Sequence, residues 1–357
     1  MMKNGQKMDI LGALPEELSA LCTELGQPAY RARQIFTFLS RGVPVSEMSS
    51  LPKELRARLG DVTEWRLPMV EEKLTSRIDG TIKYLFRLID GECVESVLMR
   101  YEHGNSLCIS SQVGCRMGCA FCASTIGGRV RDLHASEILG QVIAAERDTG
   151  ERVSNIVMMG IGEPLDNYDN VIRFLKLVNH KDGLNIGYRH ISLSTCGVVP
   201  GIDRLAQENL PITLSISLHA VNDEKRSAVM PVNRKWSIAA LLDACVRYYG
   251  KTGRRISFEY TLLGGKNDSD EDADALAKLL KDAFHKTGAP LHVNLIRVNE
   301  VKETPFVRGE TESAKRFAER LISRGVNATV RRRLGADVNA ACGQLRRAKK
   351  NQETENR

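Results

Sequence analysis

The sequence predicts an α/β chain built on a parallel sheet with helices packed outside it. Three observations carry that expectation. From about residue 105, short apolar strand-period runs alternate with longer helix-period runs, the pattern of βαβ units. The 357 residues are 42% hydrophobic and 27% charged, enough for a sizeable core and roughly two domains. No apolar run reaches the ~20 residues that a bilayer requires, and Met1 to Ile10 lacks the apolar stretch of an export signal. A mainly disordered, collagenous or coiled-coil chain is excluded by the same composition. The expectation is a cytoplasmic protein with no membrane attachment.

Residues 1–65 read as a helical module. Leu14-Pro15-Glu16-Glu17 opens one amphipathic stretch, Tyr30 to Ser40 forms a second, and Leu51-Pro52-Lys53-Glu54 begins a third. Proline is tolerated in a first helical turn because the missing N–H has no partner there. Arg31, Arg33 and Arg41 decorate the module. Residues 66–104 change period. Thr81 to Leu88 and Cys93 to Met99 read as strands, with Asp79-Gly80 and Asp90-Gly91 as turn signals, so an antiparallel extension is expected.

Residues 105–345 form the expected core. Strands are predicted at Ser106–Ser111, Asn155–Ile161, His190–Thr195, Ile212–Leu218, Arg255–Leu262 and Leu291–Val298, with Asn327–Arg333 as a final one. Helices are predicted at Ser136–Thr149, Asn170–Val178, Ile238–Tyr249, Glu271–Phe284 and Thr311–Ser323. The sheet is open or curved into a barrel, and in either form chemistry gathers at the C-terminal ends of the strands. Residues 346–357 form a charged tail. Arg331, Arg332, Arg333, Arg346, Arg347, Lys349 and Lys350 make the C-terminal end basic, within a net charge of +7. Such a run is a solvated face or a surface that neutralises phosphates.

Nine cysteines, an odd number, point to metal or redox chemistry over structural disulfides. Cys115, Cys119 and Cys122 form C-x-x-x-C-x-x-C on a loop after the first core strand. Thiolates suit zinc or iron–sulfur clusters. A structural zinc site wants a fourth ligand from a second Cys or His pair. No such pair appears, so a metal centre with one open position is expected.

This C-x-x-x-C-x-x-C segment resembles the radical S-adenosylmethionine enzymes. Six further segments narrow the likeness: Cys108 to Cys115, Met159 to Leu165, Leu193 to Pro200, Ser217 to Asp223, Asn294 to Asn299, and Gly335 to Leu345 with its A-A-C-G-Q-L box. Together they resemble the RlmN-type adenine carbon-2 methyltransferases, over about residues 10–347. The resemblance implies a partial (β/α)6 TIM-like barrel. It implies one 4Fe-4S cluster on Cys115, Cys119 and Cys122, and two molecules of S-adenosylmethionine per turnover. Gly162, Glu163, Ser194, Ser217, Leu218, His219 and Asn299 are the implied cofactor-binding positions.

Carbon 2 of adenine is a poor nucleophile, so direct attack on a sulfonium methyl is closed and a radical route is needed. The implied route methylates Cys342 first. A 5′-deoxyadenosyl radical then abstracts hydrogen from that methyl, and the methylene radical adds to carbon 2. Glu95, thirteen residues before Cys108, takes the carbon-2 proton, and Cys108 resolves the adduct by forming a disulfide with Cys342. The implied substrates are adenosine 2503 of 23S rRNA, before full ribosome assembly, and adenosine 37 of some tRNAs. A flavodoxin or ferredoxin donor and a monomer are expected. Two alternatives remain: carbon-8 methylation of the same rRNA adenosine, as in the Cfr-type relatives, and a non-catalytic zinc-bearing RNA-binding protein. Cys22, Cys93, Cys196 and Cys245 are expected to be structural.

Overall fold

The computed structural model describes residues 7–299, 303–338 and 345–346. The chain opens with β1 (Met8–Asp9), α1 (Pro15–Glu24), α2 (Tyr30–Ser40), α3 (Lys53–Val62) and β2 (Thr63–Glu64). Next come β3 (Met69–Thr75), β4 (Ile82–Arg87) and β5 (Cys93–Met99). The alternating part runs β6 (Asn105–Cys108), β7 (Gln112–Gly114), β8 (Arg129–Asp132), α4 (Ala135–Thr149), β9 (Val153–Met158), α5 (Tyr168–Asn179), β10 (Ile191–Thr195) and α6 (Val199–Glu208). It continues through β11 (Thr213–Ser217), α7 (Asp223–Val229), α8 (Ile238–Thr252), β12 (Ile256–Leu262), α9 (Asp270–Phe284), β13 (His292–Arg297), α10 (Thr311–Ser323) and β14 (Asn327–Val330).

Ten strands join in one sheet of order β14-β13-β12-β11-β10-β9-β6-β5-β4-β3. From β6 to β14 every neighbouring pair is parallel. Spatial order follows chain order without reversal, the winding of a barrel wall as opposed to a doubly wound sheet. Ser106, Asn155, Ser192, Ser215, Ser257 and Asn294, each from a different strand, line one cavity of about 370 Å³. The sheet therefore curls around an interior lined by small polar side chains, a partial barrel of six βα units and a seventh strand.

The expected antiparallel extension is present but is no separate layer. β5 pairs antiparallel with β6, so β3, β4 and β5 continue the barrel sheet. The N-terminal helices likewise share the central core. Ile35, Phe36 and Leu39 of α2 are buried with Ile143 of α4 and Val178 of α5 in one apolar cluster. No helix among the described residues is long and apolar enough to cross a membrane.

Local chemistry accounts for the helix ends. Ser237 and Ser269 accept from Ala240 N and Asp272 N at 3.3 and 3.1 Å, opening α8 and α9. Gly150 and Gly253 close α4 and α8 with φ of 70° and 62°. Several elements escape the sequence prediction, α6, α7, β7 and β8 among them. α6 begins Val-Pro-Gly and reads as a turn, and α7 is a single charged run. β7 and β8 are short and flank the cysteine loop. The first core strand ends at Cys108, before the predicted Ser111, because Ser111 N and Gln112 N both turn to Ile161 O, at 2.9 and 3.1 Å.

Candidate active site

The cysteine loop hangs from the β7–β8 pair. Gly114 has φ of +77°, and a Cβ there would lie 2.0 Å from the Gly128 carbonyl oxygen. Only glycine fits this crossing. Cys115 N donates to that same carbonyl at 3.2 Å, and Cys122 N donates to Cys119 O at 3.0 Å. Ala120 N reaches Val229 O of α7 at 2.8 Å, tying the loop to the barrel rim. Arg116 and Asp166 form an ion pair on the outer side.

All three cysteines line one cavity of about 220 Å³ at the C-terminal ends of the strands. The strands deliver to it Gly162 and Glu163 after β9, Ser194 on β10, Ser217 and His219 from β11, and Thr261 on β12. Burial pushes the Cys115 thiol up to about 12, so it becomes a thiolate only when a metal cation takes the place of its proton. Among the described residues, no three His, Cys, Asp or Glu side chains converge as a single metal ion requires. Three thiols around one cavity fit a multi-iron cluster, in which each cysteine holds a different iron. Ser124 of the same loop also lines the cavity and carries a buried hydroxyl with no partner, a donor available to such a group.

Glu163 is buried, and two backbone groups hold its carboxylate. Cys196 N donates to Oε2 at 2.7 Å and Leu165 N to Oε1 at 3.0 Å. Burial raises its pKa above the ordinary carboxylate value. Among the described residues no cationic side chain forms an ion pair with it, so a ligand ammonium fits as its counter-charge. The glycines before it, Gly160 and Gly162, line the cavity and pack tightly against backbone. A Cβ at Gly160 would lie 2.6 Å from Ile109 O, and one at Gly162 would lie 2.7 Å from Gln112 N. They seat the loop on β6 and β7; the close approach is to the protein's own backbone.

His219 stands in the left-handed region at φ of 57°. Its Nδ1 accepts from Thr261 N at 2.9 Å, which leaves Nε2 to carry the proton. Burial, with the nearby Arg226 charge, pushes its pKa down to about 3, so the ring is neutral. It meets the Phe121 ring edge-on at 5.0 Å. Arg226 is fully buried and donates to Cys196 O at 2.7 Å, Ser217 O at 3.0 Å, Leu218 O at 3.0 Å and Asn233 Oδ1 at 2.9 Å. One guanidinium thus fixes the rims of β10 and β11.

Two expected cofactor positions lie outside the cavity. The Leu218 side chain is fully buried in the core. Asn299 is exposed beyond β13, and its Oδ1 accepts from Arg308 Nη2 at 3.2 Å. Cys196, expected to be structural, is buried and lines the cavity beside Glu163. Cys22 and Cys245 are buried in the core, as a structural role requires.

Cys108 and Glu95 sit on the interior face of the sheet. Cys108 pairs with Val97 of β5, two residues from Glu95, and packs beside Met159, which also lines the thiol cavity. Glu95 is buried, with Lys83 Nζ 3.2 Å from Oε2 and Arg346 N donating to Oε1 at 2.8 Å. Cys342 lies outside the described residues. Lys83, Arg226 and Cys196 escaped the sequence reading as site residues. Lys83 stands mid-strand and Arg226 in a short charged run, and neither position carries a local signal of burial. Cys196 was within the quoted Leu193–Pro200 segment, and that position was the available signal.

Residues 109–280 match the model of the radical SAM superfamily. A probable dual-specificity RNA methyltransferase RlmN of Clostridium botulinum (strain Eklund 17B) is 53% identical, over 97% of this chain and 99% of that protein. The corresponding protein of Alkaliphilus oremlandii is 51% identical, over 96% and 98%. A radical SAM methyltransferase from Sphaerobacter thermophilus superposes with a TM-score of 0.88 at 44% identity, covering 94% of this chain and 98% of that one. Membership at this level implies a 4Fe-4S cluster and S-adenosylmethionine. With its thiol loop, its strand-end cavity and its full-length likeness, the chain belongs to the RlmN family of radical SAM RNA methyltransferases.

Proposed function

We propose that the protein methylates carbon 2 of adenosine 2503 in 23S rRNA and of adenosine 37 in tRNA, using Cys342 as the methyl carrier. One observation carries the reading. The three loop thiols and Glu163 share one cavity, and Cys108 and Glu95 stand on the interior face beside it. The printed description of the relatives, dual-specificity RNA methyltransferase, supports the two RNA classes. Arg31, Arg33 and Arg41 on the N-terminal helices and the basic C-terminal end supply charge for phosphate. The target base leaves its stack to enter the cavity. Turnover consumes two molecules of S-adenosylmethionine, and a flavodoxin or ferredoxin supplies electrons to a monomer.

Cys115, Cys119 and Cys122 hold the cluster. When bound, it supplies the electron for reductive cleavage of S-adenosylmethionine. Glu163 takes the cofactor's ammonium, and Ser194, Ser217 and His219 border the same space. The Cys342 thiolate accepts a methyl group at sulfur. Once that carbon has lost one hydrogen atom and is joined to carbon 2 of the base, Glu95 accepts the carbon-2 proton, and the adduct's unpaired electron would return to the cluster. The Cys108 thiolate then attacks the Cys342 sulfur. The S–CH2 bond breaks, its electron pair stays on carbon, and a proton completes the new methyl group. Arg346 of the C-terminal segment donates its backbone N–H to Glu95 Oε1 at 2.8 Å.

The test is anaerobic turnover of reconstituted protein with reductant, S-adenosylmethionine and unmodified 23S rRNA or tRNA. Mass spectrometry against standards identifies the product. 2-Methyladenosine is expected. 8-Methyladenosine overturns the carbon assignment, and no methylated adenosine from an intact cluster overturns the substrate.

A further inference from the structure

Lys83 is a buried cation paired with the proposed proton acceptor. It lies on β4 opposite Val97, and Glu95 lies two residues before Val97 on β5, so the two are diagonal neighbours on one face of the sheet. Cys108, also opposite Val97, shares that face. Both charged side chains are sealed from solvent, at 0% and 1% exposure, with Nζ 3.2 Å from Oε2. A carboxylate buried without a counter-charge takes up a proton and goes neutral, and a neutral acid accepts no proton. A surface ion pair would contribute little; removing one partner of a sealed pair leaves the other charge buried and uncompensated.

We propose that Lys83 is a positioning residue for the methyl transfer, whose buried ammonium holds the Glu95 carboxylate aimed into the barrel to receive the carbon-2 proton. The proposal rests on the reading of Glu95 as proton acceptor. In the step the base proton moves to a Glu95 oxygen, the carboxylate becomes a carboxylic acid, and Lys83 keeps its three protons. Other charged or titratable groups surround the pair. Arg346 reaches from the C-terminal segment, with its N at Glu95 Oε1 and its guanidinium 3.3 Å from Glu92. Cys108 faces it from β6, and exposed Glu72 of β3 shares the face. On the opposite face α4 presents Gln141, which is uncharged and accepts from Ser96 at 2.8 Å. Of these, Lys83 is the sealed cation whose ammonium pairs with the Glu95 carboxylate.

The test compares holoenzymes carrying Lys83→Met, Lys83→Arg, Glu95→Gln and the double change Lys83→Met/Glu95→Gln. Methylation rates are read across about pH 6.5–9, together with thermal unfolding of each holoenzyme. Lys83→Met should slow methylation at least ~10-fold near pH 7, within the range that general base catalysis supplies. Its pH profile should differ from that of the unsubstituted protein, because the carboxylate has then lost its buried counter-charge. Lys83→Arg should restore the unsubstituted profile. The double variant should be no slower than Glu95→Gln and should melt above Lys83→Met. An unchanged pH profile in Lys83→Met, with Glu95→Gln inactive, overturns the proposal. Full activity in Glu95→Gln overturns instead the assignment of Glu95 on which it rests.

Discussion

Glu163 and His219 show how burial sets charge in this cavity. Burial, the largest influence on Glu163, raises its pKa, and backbone donors from Cys196 and Leu165 work against that rise. Its carboxylate therefore starts to protonate at a higher pH than an exposed glutamate, and affinity for an ammonium-bearing cofactor falls on acidification. Glu163→Gln should weaken S-adenosylmethionine binding by ~10-fold or more while iron content is retained, as equilibrium dialysis and iron analysis would read. A variant that binds the cofactor at full strength would remove Glu163 from the site. His219 works on stability. Its folded pKa of about 3 lies below the unfolded value of 6.5, so the unfolded state binds the proton first. Stability from this residue is intact above pH 6.5 and is lost as pH falls from 6.5 toward 3, at up to about 1.4 kcal/mol per pH unit. His219→Gln retains an acceptor for Thr261 N and should show a shallower loss in urea unfolding between pH 6.5 and 5. An equal slope would place the acid sensitivity elsewhere.

At the scale of elements, the β7–β8 pair is the mount of the cluster loop. Gly114→Ala would drive a methyl into the Gly128 carbonyl at a positive φ. Backbone strain of this kind costs about 1–3 kcal/mol, and here the loop itself must shift to relieve it. We expect less iron and acid-labile sulfide per chain after anaerobic reconstitution, with the rest of the fold retained by circular dichroism. Full cluster occupancy would show that the loop holds its thiols without the clamp. The sequence made the thiol loop legible through its spacing, but not its mount. β7 and β8 are three and four residues long, too short for a periodic signal. α6 was hidden for another reason. Its Val-Pro-Gly start reads as a turn, yet Gly201 is needed because a Cβ there would come 2.8 Å from Leu165 Cβ.

Across the whole molecule, the N-terminal helices are part of the central core. Arg33 on α2 pairs with Asp182 at 2.7 Å, but 74% of the arginine side chain is exposed, so that pair contributes little. Phe36 is different. It is buried in the central cluster and meets the His180 ring edge-on at 4.8 Å. Phe36→Ala should destabilise the whole protein by about 3–5 kcal/mol, and calorimetry should still show one transition. Two separated transitions, with the barrel melting at its original temperature, would mean that residues 1–65 fold as an independent unit.

The sequence by itself determined the alternation of strands and helices, the thiol loop and the polar residues at strand ends. Each is written in local period or spacing: period two against 3.6, three cysteines within eight positions, glycines at forced turns. The boxes at Ser194, Ser217 and Glu163 were legible through the resemblance of their segments to a known family, since each residue is ordinary on its own. Only the tertiary structure decided which of these residues meet. It set Leu218 into the core and Asn299 in solvent, although both stand in recognisable segments, because strand alternation and the path of the chain after β13 place them there. It brought Cys196 to the cavity, buried Arg226 beneath two strand ends and sealed Lys83 against Glu95. Burial of a charge has no local sequence signature. It depends on what the curled sheet, the helices outside it and the returning C-terminal segment place around the side chain, and that is decided only when distant parts of the chain pack together.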